Sequence, residues 1–103
     1  MYWWGPSAQL EAFVDRWYGA WHNPAHRAAF AGKRAIVVAS MGDSDPATAR
    51  RVVGMFEDAF TYMGVTLAAT VPAPNVSNCF DASKRAHLID AARAAGRKAV
   101  ANL

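Results

Sequence analysis

Ala35-Ile36-Val37-Val38-Ala39-Ser40, running straight into Met41-Gly42-Asp43-Ser44-Asp45-Pro46, is the stretch that decides the fold. Its first six residues are apolar on both alternating faces, the pattern of a strand covered by helices above and below. An interior parallel strand is predicted. After it, Asp45 is placed to cap a helix N-terminus, and Pro46 takes the first helical position without losing a needed hydrogen bond.

The pattern then changes period. Val52, Val53, Phe56, Ala59, Phe60 and Met63 recur at helical spacing, and Gly64 suits a left-handed helix end. Val65 to Val71 returns as a second strand, less apolar because of Thr66 and Thr70, and therefore expected nearer a sheet edge. Pro72-Ala73-Pro74 is expected to stop it. Two strands joined by a helical crossover imply a parallel, right-handed unit.

Upstream, Leu10, Phe13, Val14, Trp17 and Trp21 form one stripe of a helix running from Ser7 to about Trp21. Pro24 should end it near His22-Asn23, with a loop from Ala25 to Arg34. Downstream, Asn75 to Phe80 reads as loop, Asp81 as a helix cap, and Leu88, Ile89, Ala92, Ala95, Ala99 and Val100 as the face of a final Ala-rich helix. The order is helix, strand, helix, strand, helix, an α/β class without internal repeats.

At 103 residues, 53% hydrophobic and 18% charged, the chain is a single domain, 1–103. No apolar run approaches the roughly 18 residues of a membrane span. The net charge is only +3 and the cations are scattered, which argues against a nucleic-acid interface. Arg93, Arg97 and Lys98 instead complement the C-terminal end of the last helix. One cysteine, Cys79, excludes an intrachain disulfide and has no basic neighbours to activate it, so a reducing, cytoplasmic setting is expected.

Ligands of open parallel sheets gather at the carboxyl ends of the strands. Three segments should meet there: Tyr2 to Ser7, Met41 to Asp45, and Pro72 to Cys79. In the first, Tyr2-Trp3-Trp4 feeds a Gly5-Pro6 turn and then a helix start. Such rings suit a flat ligand with a polar edge, or alternatively a core or a dimer seam. In the second, Gly42 admits close backbone approach. Asp43 reads equally as a ligand contact or as a local cap, whereas capping accounts for Asp45.

No chemistry of another kind is supported. His22 and His26 have a metal-ligand spacing only on one continuous helix, which Pro24 opposes. Ser-His-Asp, Cys-x-x-Cys and Gly-x-x-x-x-Gly-Lys patterns are missing, so no metal site and no catalytic acid, base or nucleophile is nominated.

Tyr-Trp-Trp-Gly-Pro-Ser-Ala-Gln-Leu-x-Ala-Phe-x-Asp-Arg-Trp-Tyr, residues 2 to 18, resembles the flavin loop and following helix of flavodoxin-like NAD(P)H-dependent FMN reductases and of related iron-sulfur flavoproteins. Ser40-Met41-Gly42-Asp43 with Asp45-Pro46-Ala47-Thr48 resembles that family's second flavin-contacting loop. The resemblance implies a partial flavodoxin-like three-layer sandwich, from the third helix to the fifth helix of a doubly wound parallel sheet. On that plan the phosphate-wrapping loop of the family's first strand lies outside the chain. Met1 stands where the family usually has Val or Ile in its third strand, so a fragment of a longer gene product is expected.

The resemblance further implies that Tyr2, Trp3, Trp4 and Gly5 line the isoalloxazine of FMN, with Ser7 and Gln9 near its polar edge or ribityl chain. Met41, Gly42 and Asp43 would close the other side. NAD(P)H would be the electron donor, with a quinone, free flavin or another small molecule as acceptor. The family's iron-sulfur cysteines have no counterpart here, and Glu11 replaces its common Lys. The expected partners are a second copy or a companion N-terminal half. The competing functions are an inactive self-association module and a basic module whose tryptophans bind a protein.

Overall fold

The computed structural model describes residues 1–78 and 80–101, and Cys79 lies outside them. Helix α1 covers Ala8–His22, and the Ser7 hydroxyl accepts from the Leu10 N–H to cap it. It ends at Asn23, but the expected loop does not follow at once. The Asn23 side chain accepts from the Ala25 N–H and starts a one-turn helix α2, Pro24–Arg27, with Pro24 in the first turn. An Asn-Pro pair that stops one helix can also start the next, because both functions use the same extended Asn backbone.

Strand β1 is Arg34–Ser40 and pairs in parallel with β2, Thr66–Ala73. Between them Asp45 accepts from the Ala47 N–H and opens a 3₁₀ turn, Pro46–Ala49, that leads into α3, Arg50–Met63. The cap is where the sequence puts it, but the first turn is tighter than an α-helix. Gly64 closes α3 at φ 70°, where its N–H reaches the Phe60 and Thr61 carbonyls. A side chain here would carry the steric cost of the left-handed region.

Proline does not end the second strand. Pro72 pairs in register with Ala39, and Ala73 with Ser40. Proline lacks only the N–H, and β2 has no described partner on its other side, so that loss is harmless. Asp81 is also reassigned. It accepts from the Ser77 and Asn78 N–H groups and so ties the preceding loop, while α4 starts five residues on, at Ala86–Val100, without a side-chain cap.

The principal core lies on one face of the sheet. Val37, Val52, Phe56, Phe60, Met63 and Val65 are buried together, with Trp17 and Trp21 of α1 laid over them. Trp17 stacks on Phe60 at 5.8 Å between centroids, and Phe60 on Phe56 at 5.5 Å. Of the predicted stripe of α1, Val14, Trp17 and Trp21 face inward, whereas Leu10 and Phe13 stay 37% and 58% exposed, and no residue of α1 is fully buried. On the other face α4 contributes Leu88 and Ala95. Arg34 donates to the Lys98 carbonyl at 2.9 Å and to that of Ala101, supplying two of the bonds that a helix C-terminus leaves unmade.

The expectation of an interior strand is met on one face only. Val37 and Ala39 are buried, but Ile36 and Val38 remain 36% and 56% exposed. The backbone groups of Lys33 and Met41 point at β2, so the alternation turns those of Ile36, Val38 and Ser40 outward. Among the described residues that outer edge receives one bond, from the Met1 amino group to the Ser40 carbonyl at 3.3 Å.

Candidate functional site

The three loops foreseen at the strand ends do converge. Met41, the first residue past β1, is 4% exposed; its N–H donates to Ala73 and its carbonyl accepts from Val76. The Asp43 carbonyl accepts from the Asn75 N–H, so the two loops are zipped together beyond the strands. A Cβ on Gly42 would come within 3.3 Å of the Ser77 hydroxyl. Glycine here therefore keeps the loops in close approach.

The N-terminal segment is a two-residue turn, not a Gly-Pro turn. Tyr2 and Gly5 exchange both backbone bonds, 3.0 and 2.9 Å, and the residues between them are Trp3 at φ 47° and Trp4 at φ 62°. Two consecutive left-handed residues define the mirror-image hairpin turn that normally calls for Asn-Gly. Bulky side chains there store strain of about 1–3 kcal/mol each. Burial does not repay it, because Trp3 is 90% and Trp4 49% exposed.

What the turn achieves is placement. Trp3 and Trp4, with ring centroids 6.2 Å apart, line a recess of about 180 Å³ together with Met1, Met41, Gly42, Asp43 and Thr48. Tyr2 faces an adjoining recess with Ser40, Met41, Gly42, Val76 and Ser77. Seven of the nine residues singled out from sequence thus share one strand-end surface: Tyr2, Trp3, Trp4, Met41, Gly42 and Asp43 as lining, and Gly5 as the residue closing the turn. Ser7 and Gln9 line neither recess; Ser7 is engaged as the cap of α1.

The Asp43 carboxylate is turned into its own loop. One oxygen accepts from the Asp45 N–H at 3.0 Å and the other from the Thr48 hydroxyl at 2.8 Å. The Asp45 N–H, then the Thr48 hydroxyl, hold its pKa below the usual carboxylate value. It stays ionised and shapes the rim, which is the capping alternative, while still lining the recess. Thr48 stands in the sequence only as part of the helix start that resembles the second flavin loop; its bond to Asp43 depends on a side-chain contact across the 3₁₀ turn.

His22 lies in α1 and His26 in α2, on either side of the break at Asn23, and the His22 ring is engaged with the Tyr18 carbonyl at 2.8 Å. Among the described residues no group of three or more His, Cys, Asp or Glu gathers as a metal would require. No helix among them is long and apolar enough to cross a membrane.

Parallel strands joined through a helix, with loops building a recess at their carboxyl ends, define a portion of a doubly wound α/β domain. The chain belongs to the flavodoxin-like fold family, whose profile matches residues 1–99. It is similar to the solved structure of the Trp repressor binding protein from Bacillus subtilis, at 29% identity and a TM-score of 0.74 over 93% of this chain. The chain spans 56% of that protein's length. Among curated proteins none matches.

Proposed function

We propose that this chain carries the ring-binding side of an FMN-dependent NAD(P)H oxidoreductase. The carrying observation is that the strained Trp3-Trp4 turn and the Gly42-Asp43 loop line the same recess. The donor set suits a flavin ring: indole faces for stacking, and backbone N–H groups of Gly42 and Asp43 that meet no acceptor among the described residues and suit a carbonyl edge. When bound, FMN would accept hydride from NAD(P)H and pass electrons to a quinone, free flavin or another small acceptor.

The protein's own part is orientation. Trp3 and Trp4 cover the ring and exclude water, buried Met41 fixes the opposite loop, and Asp43 holds that loop's shape through Thr48. In this reading Tyr2 and Gly5 set the turn, and Ser7 and Gln9 lie toward the polar edge or the ribityl chain. No side chain needs to act as acid or nucleophile.

Titration of FMN with the purified chain tests this directly. Flavin fluorescence is expected to be quenched, and Trp4→Ala to weaken binding about tenfold or more, since stacking of a flat ring on an aromatic side chain contributes about 1–3 kcal/mol. Quenching that is absent, both with the chain alone and with an N-terminal half of a flavodoxin-like domain added, would overturn the proposal.

The outer edge of β1 favours a second reading, an inactive self-association or protein-interaction module. Ile36 and Val38 are exposed beside outward-facing backbone groups, and an open apolar edge is a template for pairing. Val38→Lys is expected to shift the sedimentation of the chain from associated species to monomer. Identical sedimentation of the two proteins would remove this reading.

A further inference from the structure

Cations that are scattered along the sequence are gathered by the fold. At the amino ends of the strands the Lys33 carbonyl accepts from the Thr66 N–H at 2.8 Å and Arg34 reaches the Lys98 carbonyl at 2.9 Å. Trp21 of α1 meets Phe30 and Tyr62 there, at 5.8 and 5.6 Å between ring centroids. The last turns of α1, α3 and α4 therefore share this end with α2. Arg27, Lys33, Arg34, Arg97 and Lys98 lie here, five of the chain's 11 Lys and Arg residues, and none of its 8 Asp and Glu. Asp15 and Asp58 stand a turn back from Tyr18 and Tyr62, toward the other end. Arg27 is held over the Trp21 ring at 5.3 Å, and Tyr18 and Tyr62 are 72% and 71% exposed. Between those two phenols opens an apolar recess of about 210 Å³, lined also by Trp17, Trp21 and Met63. The helix macrodipole accounts for Arg97 and Lys98, in the last turn of α4. It does not account for Lys33, exposed in the loop before β1, or for the open phenols beside the cations.

We propose that this end of the molecule docks on the surface of an anionic phospholipid bilayer. Exposed Lys and Arg are drawn to the negative potential of such a surface, while Tyr and Trp place an apolar ring in the interfacial layer and keep a polar atom in water. An acidic polymer would satisfy the cations but leave the recess between Tyr18 and Tyr62 without an apolar occupant. A lipid surface satisfies both. The contact is peripheral, since no helix among the described residues is long and apolar enough to cross a membrane. The Trp3-Trp4 turn and its recess lie at the carboxyl ends of the strands, so docking leaves them open to water. The inference is independent of what that recess binds.

Co-sedimentation of the full chain with phosphatidylcholine vesicles, with and without about one-third phosphatidylserine, tests this. Binding is expected only where the serine lipid is present, and it should weaken as salt is raised. Lys33→Gln with Lys98→Gln, both at exposed positions, should weaken it at least about tenfold, each cation near such a surface contributing about fivefold. Arg50→Gln with Lys84→Gln removes the same charge from exposed positions at the other end and should change binding by no more than about twofold. Tyr18→Ser with Tyr62→Ser should weaken vesicle binding about fivefold or more and leave binding to heparin unchanged. The two glutamine pairs keep the test decisive if the tyrosine variant does not fold. Absence of binding to the serine-lipid vesicles, equal binding to vesicles without that lipid, or equal weakening by the two glutamine pairs overturns the proposal. So does a folded tyrosine variant that binds vesicles like the parent chain, which would give the surface to a soluble acidic partner.

Discussion

Combining Trp3→Asn with Trp4→Gly is expected to make the protein more stable and unable to bind flavin. The two positions sit at φ 47° and 62°, the geometry for which Asn-Gly is the preferred pair, and relief of strain at both contributes about 1–3 kcal/mol each. Against that stands the half-burial of Trp4, on the order of 1–2 kcal/mol, while Trp3 contributes almost nothing at 90% exposure. A net gain of about 1 kcal/mol or more should raise Tm by roughly 4–8 °C per kcal/mol for a domain of this size. Flavin affinity should fall by at least about a hundredfold, two stacking faces having been removed. A lowered Tm would mean that the indoles serve packing after all, and unchanged affinity would place the flavin elsewhere.

Phe60→Ala is expected to be the most damaging core substitution. Its ring stacks on both Trp17 and Phe56, and it is one of the contacts, with Trp17–Phe56 and Trp21–Tyr62, that hold α1 to α3. Removing a buried phenyl group costs about 3–5 kcal/mol, a large share of the 5–15 kcal/mol that stabilises a typical domain. Phe80→Ala, at an exposed loop position, should change stability by no more than about 0.5 kcal/mol. Urea unfolding of the two variants checks the contrast; similar midpoints would show that the aromatic stack is not the core.

These two substitutions also mark what the sequence made legible. Phe56, Phe60 and Met63 announce themselves by helical spacing, and Asp45-Pro46 and Gly64 by cap chemistry that local backbone geometry enforces. The convergence of Trp3 and Trp4 with Gly42 follows from strand-end logic once both strands are placed. The turn conformation does not, because two tryptophans have no preference for left-handed backbone and only the surrounding bonds impose it. Pro72 misleads for the opposite reason: its cost depends on whether its missing N–H faces a partner strand, which is a tertiary fact. Asp81 likewise reads as a cap by type, but its carboxylate serves the amides behind it. Ser7 is read toward a ligand through resemblance, whereas its hydroxyl is engaged at the helix start.

The Arg34 guanidinium, at the root of β1, grips carbonyls at the end of α4 across 64 residues of sequence. During synthesis that grip cannot close until the final helix has left the ribosome, so the early strand must wait, half-clothed, for the late helix. Opening of either one therefore loosens the other.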